Sequence, residues 1–397
     1  MANIMNKIVV RSIQILIKLG TYFLSWKTPE LIIGAGAVSK LSRILKADNC
    51  KRVLIVTGPH IGKSDMLNTL KSSLENLGIN YIVFCDLSSD PSDIHVENGV
   101  NLYNNFKADS IVIFGGGSPM DCGKAIAARI AHPEKSVSEL KGTMKVLWKT
   151  PTVYAIPTTA GTGSETTIAT VITDSKTHIK SSINDLSIMP KVAILDPELT
   201  IGLSEQLTLT TGLDALCHAV ECYIKGTYGT HLEFDYALKA IKLIYENLPK
   251  VLENGNDINA RQNMLLGSFY AGRAFTRTGV GYVHAIGHAV GARYGFSHGH
   301  MMSFFLPRVL KAYGNSANSR LNDIARNIGL ESGKEFIDWI DKLIEKYHIS
   351  LGNIEMAEDE IDQMAELIDR EANPLYTCPQ VWNRYDIKKF LRDCNNI

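Results

Sequence analysis

The stretch "IVIFGGGSPMDCGKAIA", Ile111 to Ala127, joins an apolar run to an amphipathic run through three consecutive glycines. A short β-branched run without polar residues predicts a strand that is buried on both faces, as in a parallel α/β sheet. Gly115, Gly116 and Gly117 would let a ligand approach the backbone closely. A tight strand-to-helix turn is the alternative, although it explains one glycine more easily than three. The stretch therefore predicts a strand that ends at a ligand-binding turn.

The residues after the glycines predict the start of a helix. Ser118 is expected as the N-cap, with Pro119 at the first helical position and Asp121 in the first turn. Unpaired amide groups at a helix start attract anions, so this turn favours an anionic ligand and can hold a pyrophosphate. The spacing matches neither the G-x-G-x-x-G dinucleotide fingerprint nor a P-loop.

The alternation of strand and helix extends to both sides of this turn. Further strands are predicted at Lys51–Thr57, Tyr81–Asp86, Pro151–Thr158 and Lys191–Pro197, with a β excursion at Thr167–Asp174. This rhythm is typical of βαβ units and a mostly parallel sheet. After residue 197, apolar residues recur three and four apart, as in amphipathic helices. We expect an N-terminal arm over residues 1–28, an α/β dinucleotide-binding domain over 29–200 and an all-helical domain over 201–397.

The composition is that of a globular enzyme. The chain has 397 residues, of which 45% are hydrophobic and 21% charged, and this length favours two domains. Its formal net charge is zero, which gives no electrostatic support to nucleic-acid binding. Seven dispersed cysteines without a Cys-x-x-Cys pair favour free thiols over disulfides or a zinc knot. A cytoplasmic location is the resulting expectation.

The first twenty-nine residues are apolar and basic, and contain no acidic residue. Arg11 and Lys18 interrupt the apolar run, which argues against a signal peptide and against a membrane-spanning helix. We expect an arm that packs on its own domain or on a partner subunit. A basic amphipathic segment on a membrane surface is the less favoured alternative.

A second loop, "AIPTTAGTGSETT" from Ala155 to Thr167, follows a predicted strand and holds six hydroxyl side chains and two glycines. Hydroxyl groups and exposed amides can line a phosphate, a ribose or a carboxamide. A polar surface loop would have the same composition, and composition alone favours that simpler interpretation.

Histidines and one aspartate recur at helical spacing. Asp214 and His218 are four residues apart, His284 and His288 repeat that step, and His298 follows. Residues four apart share one face of a helix. A surface pair or a hydrogen-bonded core histidine would explain any single member. As a set, Asp214, His218, His284 and His298 predict one divalent cation, for which Fe(II) or Zn(II) suits a carboxylate with neutral imidazoles.

These motifs, in this order, resemble those of the iron-containing alcohol dehydrogenase family. They are "GGGSPMD", "IPTTAGTGSE", "GLDALCHAVE" and "VHAIGHAVG" followed by "HG", and the resemblance extends from about Pro29 to Leu391. It implies a dehydroquinate synthase-like fold, in which an α/β domain with a dinucleotide site precedes a helical domain that supplies the metal ligands.

The resemblance also implies roles for the polar residues of the second half. The metal ligands would be Asp214, His218, His284 and His298. His288 is similar to the family's non-ligand active-site histidine, which lies near substrate and cofactor for proton transfer or orientation.

A nicotinamide cofactor would be held by the two loops. By resemblance, the pyrophosphate would lie against Gly116, Gly117 and Ser118. The adenosine and nicotinamide portions would lie against Thr158, Thr159, Thr162 and Ser164, with Lys180 near the ribose, and the predicted cofactor set is completed by Gly58, Gly115 and Asp121. Many NAD-using relatives have an acidic residue where this chain has Gly58, so NADP is an alternative to NAD.

The implied activity is metal-dependent, NAD(P)-linked hydride transfer between the cofactor and a small to medium alcohol or aldehyde. Fe(II) is the expected metal, with Zn(II) as the alternative. A dehydroquinate synthase-like lyase is the second hypothesis, although the helices that carry the candidate ligands have few basic residues for a phosphorylated substrate. A membrane-associated adaptor is the third. The expected partners are the substrate and at least one further copy of the chain, without nucleic acid.

Overall fold

The computed structural model describes residues 2–177, 179–352 and 354–395. The strands are β1 (Glu30–Ile33), β2 (Arg52–Thr57), β3 (Asn80–Phe84), β4 (Ser110–Gly115), β5 (Gly142–Thr143), β6 (Thr152–Pro157), β7 (Ala169–Thr173), β8 (Lys180–Asn184) and β9 (Val192–Leu195). The helices of the same part of the chain are α1 (Ala2–Tyr22), α2 (Leu41–Ala47), α3 (Pro59–Gly62), α4 (Asn68–Glu75), α5 (Asp93–Phe106) and α6 (Gly117–Ala131). The predicted strands β2, β3, β4, β6 and β9 and the excursion β7 are confirmed.

Six strands form one parallel sheet in the order β3, β2, β4, β6, β9, β1. The chain goes from β2 outward to β3 and then returns past β2 to β4, so the direction of winding reverses between β2 and β4. In an open α/β sheet, ligands bind at the carboxyl ends of the strands beside such a reversal. The residues at that position are Gly58, which follows β2, and Gly116, which follows β4.

Both faces of this sheet are buried, which explains why its strands read as continuous apolar runs. Along β2, Leu54 and Val56 join a core that α5 and α6 cover. Val53 and Ile55 point to the opposite face, where α2 and α4 supply the core. The parallel α/β fold predicted for this part of the chain is therefore confirmed.

A small second sheet has the order β5, β8, β7, with β7 and β8 antiparallel. The sequence of β8, "KSSIN", is polar, and of its five residues Ile183 alone is buried. An exposed strand of this kind carries no apolar alternation, so sequence pattern does not predict it.

The expected start of α6 is corrected by two residues. The helix begins at Gly117 and its N-cap is Gly116, so Ser118 is not the N-cap. The hydroxyl group of Ser118 instead donates a hydrogen bond to the carbonyl oxygen of Ser89, at 2.5 Å. Gly116 has the extended backbone of an N-cap, with φ −80° and ψ −155°, whereas Ser118 already lies within the helix.

The chain folds as two compact units. One, here called the α/β unit, comprises Trp26–Ser204 and Lys250–Gly272. The other, the helical unit, comprises Met1–Ser25, Glu205–Pro249 and Arg273–Ile397. The predicted division after residue 200 lies four residues before the observed one, and residues 250–272 group with the α/β unit instead of the helical one.

A close approach of two glycines explains why residues 250–272 belong to the α/β unit. Gly163 has a left-handed φ of +57°, and a Cβ atom there would lie 2.8 Å from Cα of Gly272 and 2.7 Å from the carbonyl oxygen of Ser268. Such contact between backbones requires glycine. This long-range pairing has no local sequence signal.

The second half of the chain is helical, as predicted. Its helices are α7 (Glu205–Ile224), α8 (His231–Glu253), α9 (Ile258–Thr278), α10 (Tyr282–Tyr294), α11 (His298–Tyr313), α12 (Asn315–Asn327), α13 (Gly333–Lys346), α14 (Glu358–Ala372) and α15 (Arg384–Asn395). In the described ranges, no strand follows β9.

The N-terminal residues form helix α1, which belongs to the helical unit. Arg11 donates hydrogen bonds to the carbonyl oxygens of Cys378 and Pro379, at 2.7 and 3.1 Å. Gln14 donates to the carbonyl oxygen of Tyr376 at 2.8 Å. Within the residues that the structure describes, no helix combines the length and the apolar character needed to cross a membrane.

Candidate metal centre and nucleotide turn

Four predicted ligand residues come together in the helical unit. Asp214 and His218 lie one turn apart on α7, His284 lies on α10, and His298 is the first residue of α11. Oδ1 of Asp214 is 3.2 Å from Nε2 of His298, 3.9 Å from Nδ1 of His218 and 4.0 Å from Nε2 of His284. One ligand atom from each residue lies within 4.8 Å of all the others.

Three of these atoms are buried and have no hydrogen-bond partner: Oδ1 of Asp214, Nδ1 of His218 and Nε2 of His284. A buried polar atom without a partner costs about 1 to 3 kcal/mol. Three such atoms directed at one small volume are explained together by a divalent cation that accepts a lone pair from each. The donor set of one carboxylate and three imidazoles fits Fe(II) or Zn(II).

The protonation states also fit a metal. Burial lowers the pKa of His218 to about 3 and lowers the pKa of His284 well below its ordinary value. Burial alone would raise the pKa of Asp214, but the nearby rings of His218 and His298 reverse this and hold that pKa below its ordinary value. Neutral imidazoles and an ionised carboxylate are the forms that bind metals.

Glu221, one turn beyond His218 on α7, orients one of the candidate ligands. The Nδ1–H group of His284 donates to Oε2 of Glu221 at 2.7 Å. The same carboxylate accepts the backbone N–H groups of Gly281 and Val283, at 2.7 and 2.8 Å. Glu221 therefore fixes the start of α10 and turns Nε2 of His284 toward Asp214. Glu221 is absent from the residues predicted from the sequence, although it lies three residues after His218 on the same helix.

Lys225 holds the segment that leads into α10. Its ammonium group donates to the carbonyl oxygens of Thr278, Gly279 and Val280. The loop before α10 is thus tied to the end of α7. This connection keeps the helices that carry Asp214, His218 and His284 in a fixed relationship.

His288 lies outside the group of four but next to it. Its ring centre is 5.2 Å from that of His298 and 5.9 Å from that of His284. The Nδ1–H group of His288 donates to Oε1 of Glu371 at 2.7 Å, and the hydroxyl group of Tyr376 donates to the same oxygen at 2.9 Å. The side chain of His288 is 41% exposed, so it reaches solvent.

The glycine turn of the α/β unit is closely packed against its neighbours. A Cβ atom on Gly115 would lie 2.7 Å from Cγ of Pro119. A Cβ atom on Gly116 would lie 3.3 Å from Oγ1 of Thr159, and one on Gly117 would lie 3.0 Å from Cγ2 of Thr162. The glycine turn and the hydroxyl-rich loop are therefore neighbours at the carboxyl edge of the sheet.

Lys124, on α6, anchors the hydroxyl-rich loop from inside the α/β unit. Its fully buried ammonium group donates to the carbonyl oxygen of Ser164, the hydroxyl oxygen of Thr167 and the carbonyl oxygen of Ala169, at 2.9, 2.9 and 2.5 Å. Burial lowers the pKa of Lys124 to about 8 and raises the pKa of Glu165 to about 7. The interpretation of this loop as a polar surface loop is therefore wrong, and Lys124 is a residue whose role sequence analysis missed.

The remaining predicted cofactor residues differ in environment. Thr158 and Ser164 are buried, and Thr159 and Thr162 are partly exposed. Lys180 is exposed and its ammonium group lies 2.6 Å from a carboxylate oxygen of Asp90.

Two further members of that set lie beside the turn. A Cβ atom on Gly58 would lie 3.9 Å from Cγ of Pro119, so Gly58 is close to the glycine turn. The carbonyl oxygen of Asp121 accepts a hydrogen bond from the hydroxyl group of Thr170 at 2.6 Å, which ties the first turns of α6 to β7.

The α/β unit has a glycine turn at the reversal of its sheet, and the helical unit carries an aspartate and three histidines that could hold one metal ion. These features fit a metal-dependent dehydrogenase. Residues 28–197 match the iron-containing alcohol dehydrogenase family, and residues 208–394 match the C-terminal part of the Fe-containing alcohol dehydrogenase family. The chain belongs to the iron-containing alcohol dehydrogenase family. It is an oxidoreductase, and the family resemblance seen in the sequence is confirmed.

Relatives of similar sequence and structure agree with this membership. The chain is 38% identical to the NAD-dependent methanol dehydrogenase of Bacillus methanolicus over 302 residues, 76% of this chain and 78% of the relative. It is 33% identical to the 1,3-propanediol dehydrogenase of Citrobacter freundii over 372 residues, 90% of this chain and 95% of the relative. A crystal structure of 1,3-propanediol oxidoreductase superimposes with a TM-score of 0.88 at 30% identity, over 94% of this chain and 100% of that one. These relatives fit the dehydrogenase hypothesis and not the lyase alternative.

Proposed function

We propose that the chain is an iron- and NAD(P)-dependent dehydrogenase that interconverts a small to medium alcohol and its aldehyde. The observation that carries this proposal is the set of three buried, unpartnered atoms on Asp214, His218 and His284, which lie beside Nε2 of His298. The named activities of the relatives, on methanol and 1,3-propanediol, favour short alcohols as substrates.

Asp214, His218, His284 and His298 would hold the iron. When bound, the ion is a Lewis acid that lowers the pKa of a hydroxyl group and polarises a carbonyl group. Asp214 supplies the single negative charge of the set, while His218 and His284 are held neutral by burial. With a divalent ion bound, one carboxylate and neutral imidazoles would leave the site with a net positive charge, which would favour negative charge that develops on the substrate oxygen.

The α/β unit would hold the nicotinamide cofactor, which accepts or supplies the hydride when bound. The glycine turn would let the backbone approach the pyrophosphate, and the amide groups at the start of α6 favour its negative charge. Thr159 and Thr162, the partly exposed hydroxyl residues beside the turn, would contact the cofactor directly. The buried Thr158 and Ser164 would shape the loop.

His288 would exchange the substrate's hydroxyl proton with solvent. Because Nδ1–H of His288 donates to Glu371, its Nε2 atom is the basic nitrogen of the ring. The partly exposed ring contacts solvent on one side and lies beside His298 on the other. Glu371 and Tyr376 would hold the ring in this orientation.

The end of β2 supports use of NADP as well as NAD. Gly58 provides no carboxylate to bond the adenosine ribose or to repel a 2′-phosphate. We therefore propose that NADPH also serves as a hydride donor. The choice of coenzyme is separate from the choice of substrate, because the two depend on different residues.

We further propose a cytoplasmic location and a homodimeric assembly. All seven cysteines are free thiols, as expected in a reducing compartment. The family resemblance favours at least a dimer.

An anaerobic assay with a panel of short aldehydes tests the proposed function. NADH and NADPH are supplied separately to Fe(II)-loaded, Zn(II)-loaded and chelator-treated protein. We expect coenzyme oxidation with Fe(II), its loss on chelation and its return when Fe(II) is added. Failure to oxidise either coenzyme with every aldehyde, at full iron occupancy, would contradict the proposal.

A further inference from the structure

Helix α1 turns its polar side toward the protein. Arg11 and Gln14 are hydrogen-bonded to backbone carbonyl groups of residues 376–379. Nζ of Lys7 lies 3.6 Å from Oδ2 of Asp386 on α15. An amphipathic helix of a globular protein normally places its apolar side against the core. Helix α1 instead places its polar side against the protein and leaves its apolar side exposed.

The outward side of α1 is a row of large apolar side chains, here called the apolar row. Its members are Ile8, Val9, Ile15, Leu16, Leu19 and, one residue beyond the helix, Phe23. Leu16 is 67% exposed and Phe23 is 90% exposed. Spacings of three, four, seven and eight place these residues along one face. Contiguous apolar surface of this kind marks a binding site for a protein or a membrane.

The charged residues of α1 are all basic. Residues 2–29 contain no acidic residue. The groove between α1 and α15 is lined by Lys7, Arg11 and Lys389, together with Asp386 and Asp393. Asp386 is already engaged, since it pairs with Lys7 and accepts the backbone N–H group of Asn383 at 3.0 Å.

This charge distribution favours an anionic occupant over a second copy of the chain. A second copy would bring an identical acid-free helix, so two positively charged helices would meet. A bilayer with anionic headgroups offers the opposite charge beside an apolar layer. A helix with an apolar face and basic flanks binds at such an interface, parallel to the surface.

We propose that α1 attaches the protein to the surface of an anionic phospholipid bilayer. The apolar row enters the boundary between headgroups and acyl chains, and the exposed Lys389 on α15 lies at the level of the headgroups. Because α1 does not meet the requirements of a spanning helix, the attachment is peripheral. This inference is independent of the proposed enzymatic function.

Flotation of the full-length protein with liposomes tests this proposal. Vesicles of phosphatidylcholine alone are compared with vesicles that also contain phosphatidylglycerol. We expect the protein to float with the anionic vesicles only. The double substitution Leu16→Glu/Leu19→Glu should reduce the bound fraction at least about tenfold, because it removes apolar burial at two positions. Lys389→Gln should weaken binding about fivefold, because it removes one basic group near the membrane surface.

Ile94→Glu is the matched control, because Ile94 is 55% exposed on α5 and Leu19 is 52% exposed on α1. It should leave flotation unchanged. Phe23→Ser, beyond the end of α1, is a second loss-of-binding variant that leaves the helix intact. Aldehyde reduction by all these variants should stay within about twofold of the parent chain, since each lies outside the residues assigned to iron or cofactor.

Three outcomes would overturn the proposal. One is a parent chain that does not float with anionic vesicles, and another is equal flotation with neutral vesicles. In the third, the parent chain binds no vesicles, and sedimentation gives Leu16→Glu/Leu19→Glu a lower molecular mass than the parent chain. That result would assign the apolar row to contact with a second copy of the chain.

Discussion

Oε2 of Glu221 lies 2.7 Å from Nδ1 of His284, and both groups are buried. This hydrogen bond fixes which imidazole nitrogen is left to face Asp214. Residues that orient a ligand histidine commonly contribute as much to a metal site as some ligands do. Glu221 is therefore expected to affect metal affinity without contacting the metal.

Glu221→Gln should weaken Fe(II) binding about 10- to 100-fold, because the histidine orientation is less firmly held. Competition with a chelator of known affinity measures the change. Glu233→Gln is the control, since Glu233 is equally buried in the same unit but contacts the backbone and hydroxyl groups of Thr230. Equal affinities for the Glu221 and Glu233 variants would show that the hydrogen bond to His284 does not orient a ligand.

His288→Ala should keep its metal and lower turnover on the order of 10² to 10⁴-fold, as expected for loss of a proton-transfer group. Metal content by mass spectrometry and steady-state kinetics are measured on the same preparation. Glu371→Gln should give a smaller loss of kcat with KM unchanged, because it affects only the orientation of the ring. An unchanged rate in His288→Ala would leave the residue with a packing role.

Gly115→Ala should weaken NADH binding on the order of tenfold, since the new methyl group would lie 2.7 Å from Cγ of Pro119 and would displace the turn. Fluorescence titration with NADH measures this. Gly202→Ala is the matched control, because nothing lies within 4 Å of the position that its Cβ atom would occupy. If both variants bound NADH like the parent chain, the cofactor would have to lie elsewhere.

Lys124→Met should lower the free energy of unfolding by about 2 kcal/mol, because the polar atoms that now accept from Lys124 would be buried without partners. The acceptors belong to Ser164, Thr167 and Ala169. Urea unfolding measures the change, with the exposed Lys176→Met as control. No difference between the two variants would mean that water reaches the loop when Lys124 is removed.

The local pattern of apolar and polar residues was sufficient to predict much of the fold. The apolar runs within β2, β4 and β6 predict strands because burial on both faces favours apolar side chains along most of each strand. The spacing of Asp214 and His218 predicts a shared helical face, and the structure has these residues one turn apart on α7. Such features depend on residues that are neighbours in sequence.

Contacts between distant segments were not predictable in the same way. Lys124 binds a loop forty residues away, and Glu221 contacts His284 sixty-three residues away. Gly163 gives no sign of its partner Gly272. In helix α1, local pattern is misleading. Its apolar periodicity predicts that the apolar face packs inward, but Arg11 and Gln14 form hydrogen bonds with residues 376–379, and the apolar face is exposed.

The most direct test of the metal site is the iron content of His284→Ala beside that of the parent chain. Both proteins are loaded with Fe(II) under anaerobic conditions, freed of excess metal and assayed for iron per chain, with a folded state verified by circular dichroism. We expect about one iron per parent chain and almost none in the folded variant, because Asp214, His218 and His298 alone leave one position of the site without its ligand. Full iron occupancy in folded His284→Ala would contradict the assignment of these four residues to one metal ion.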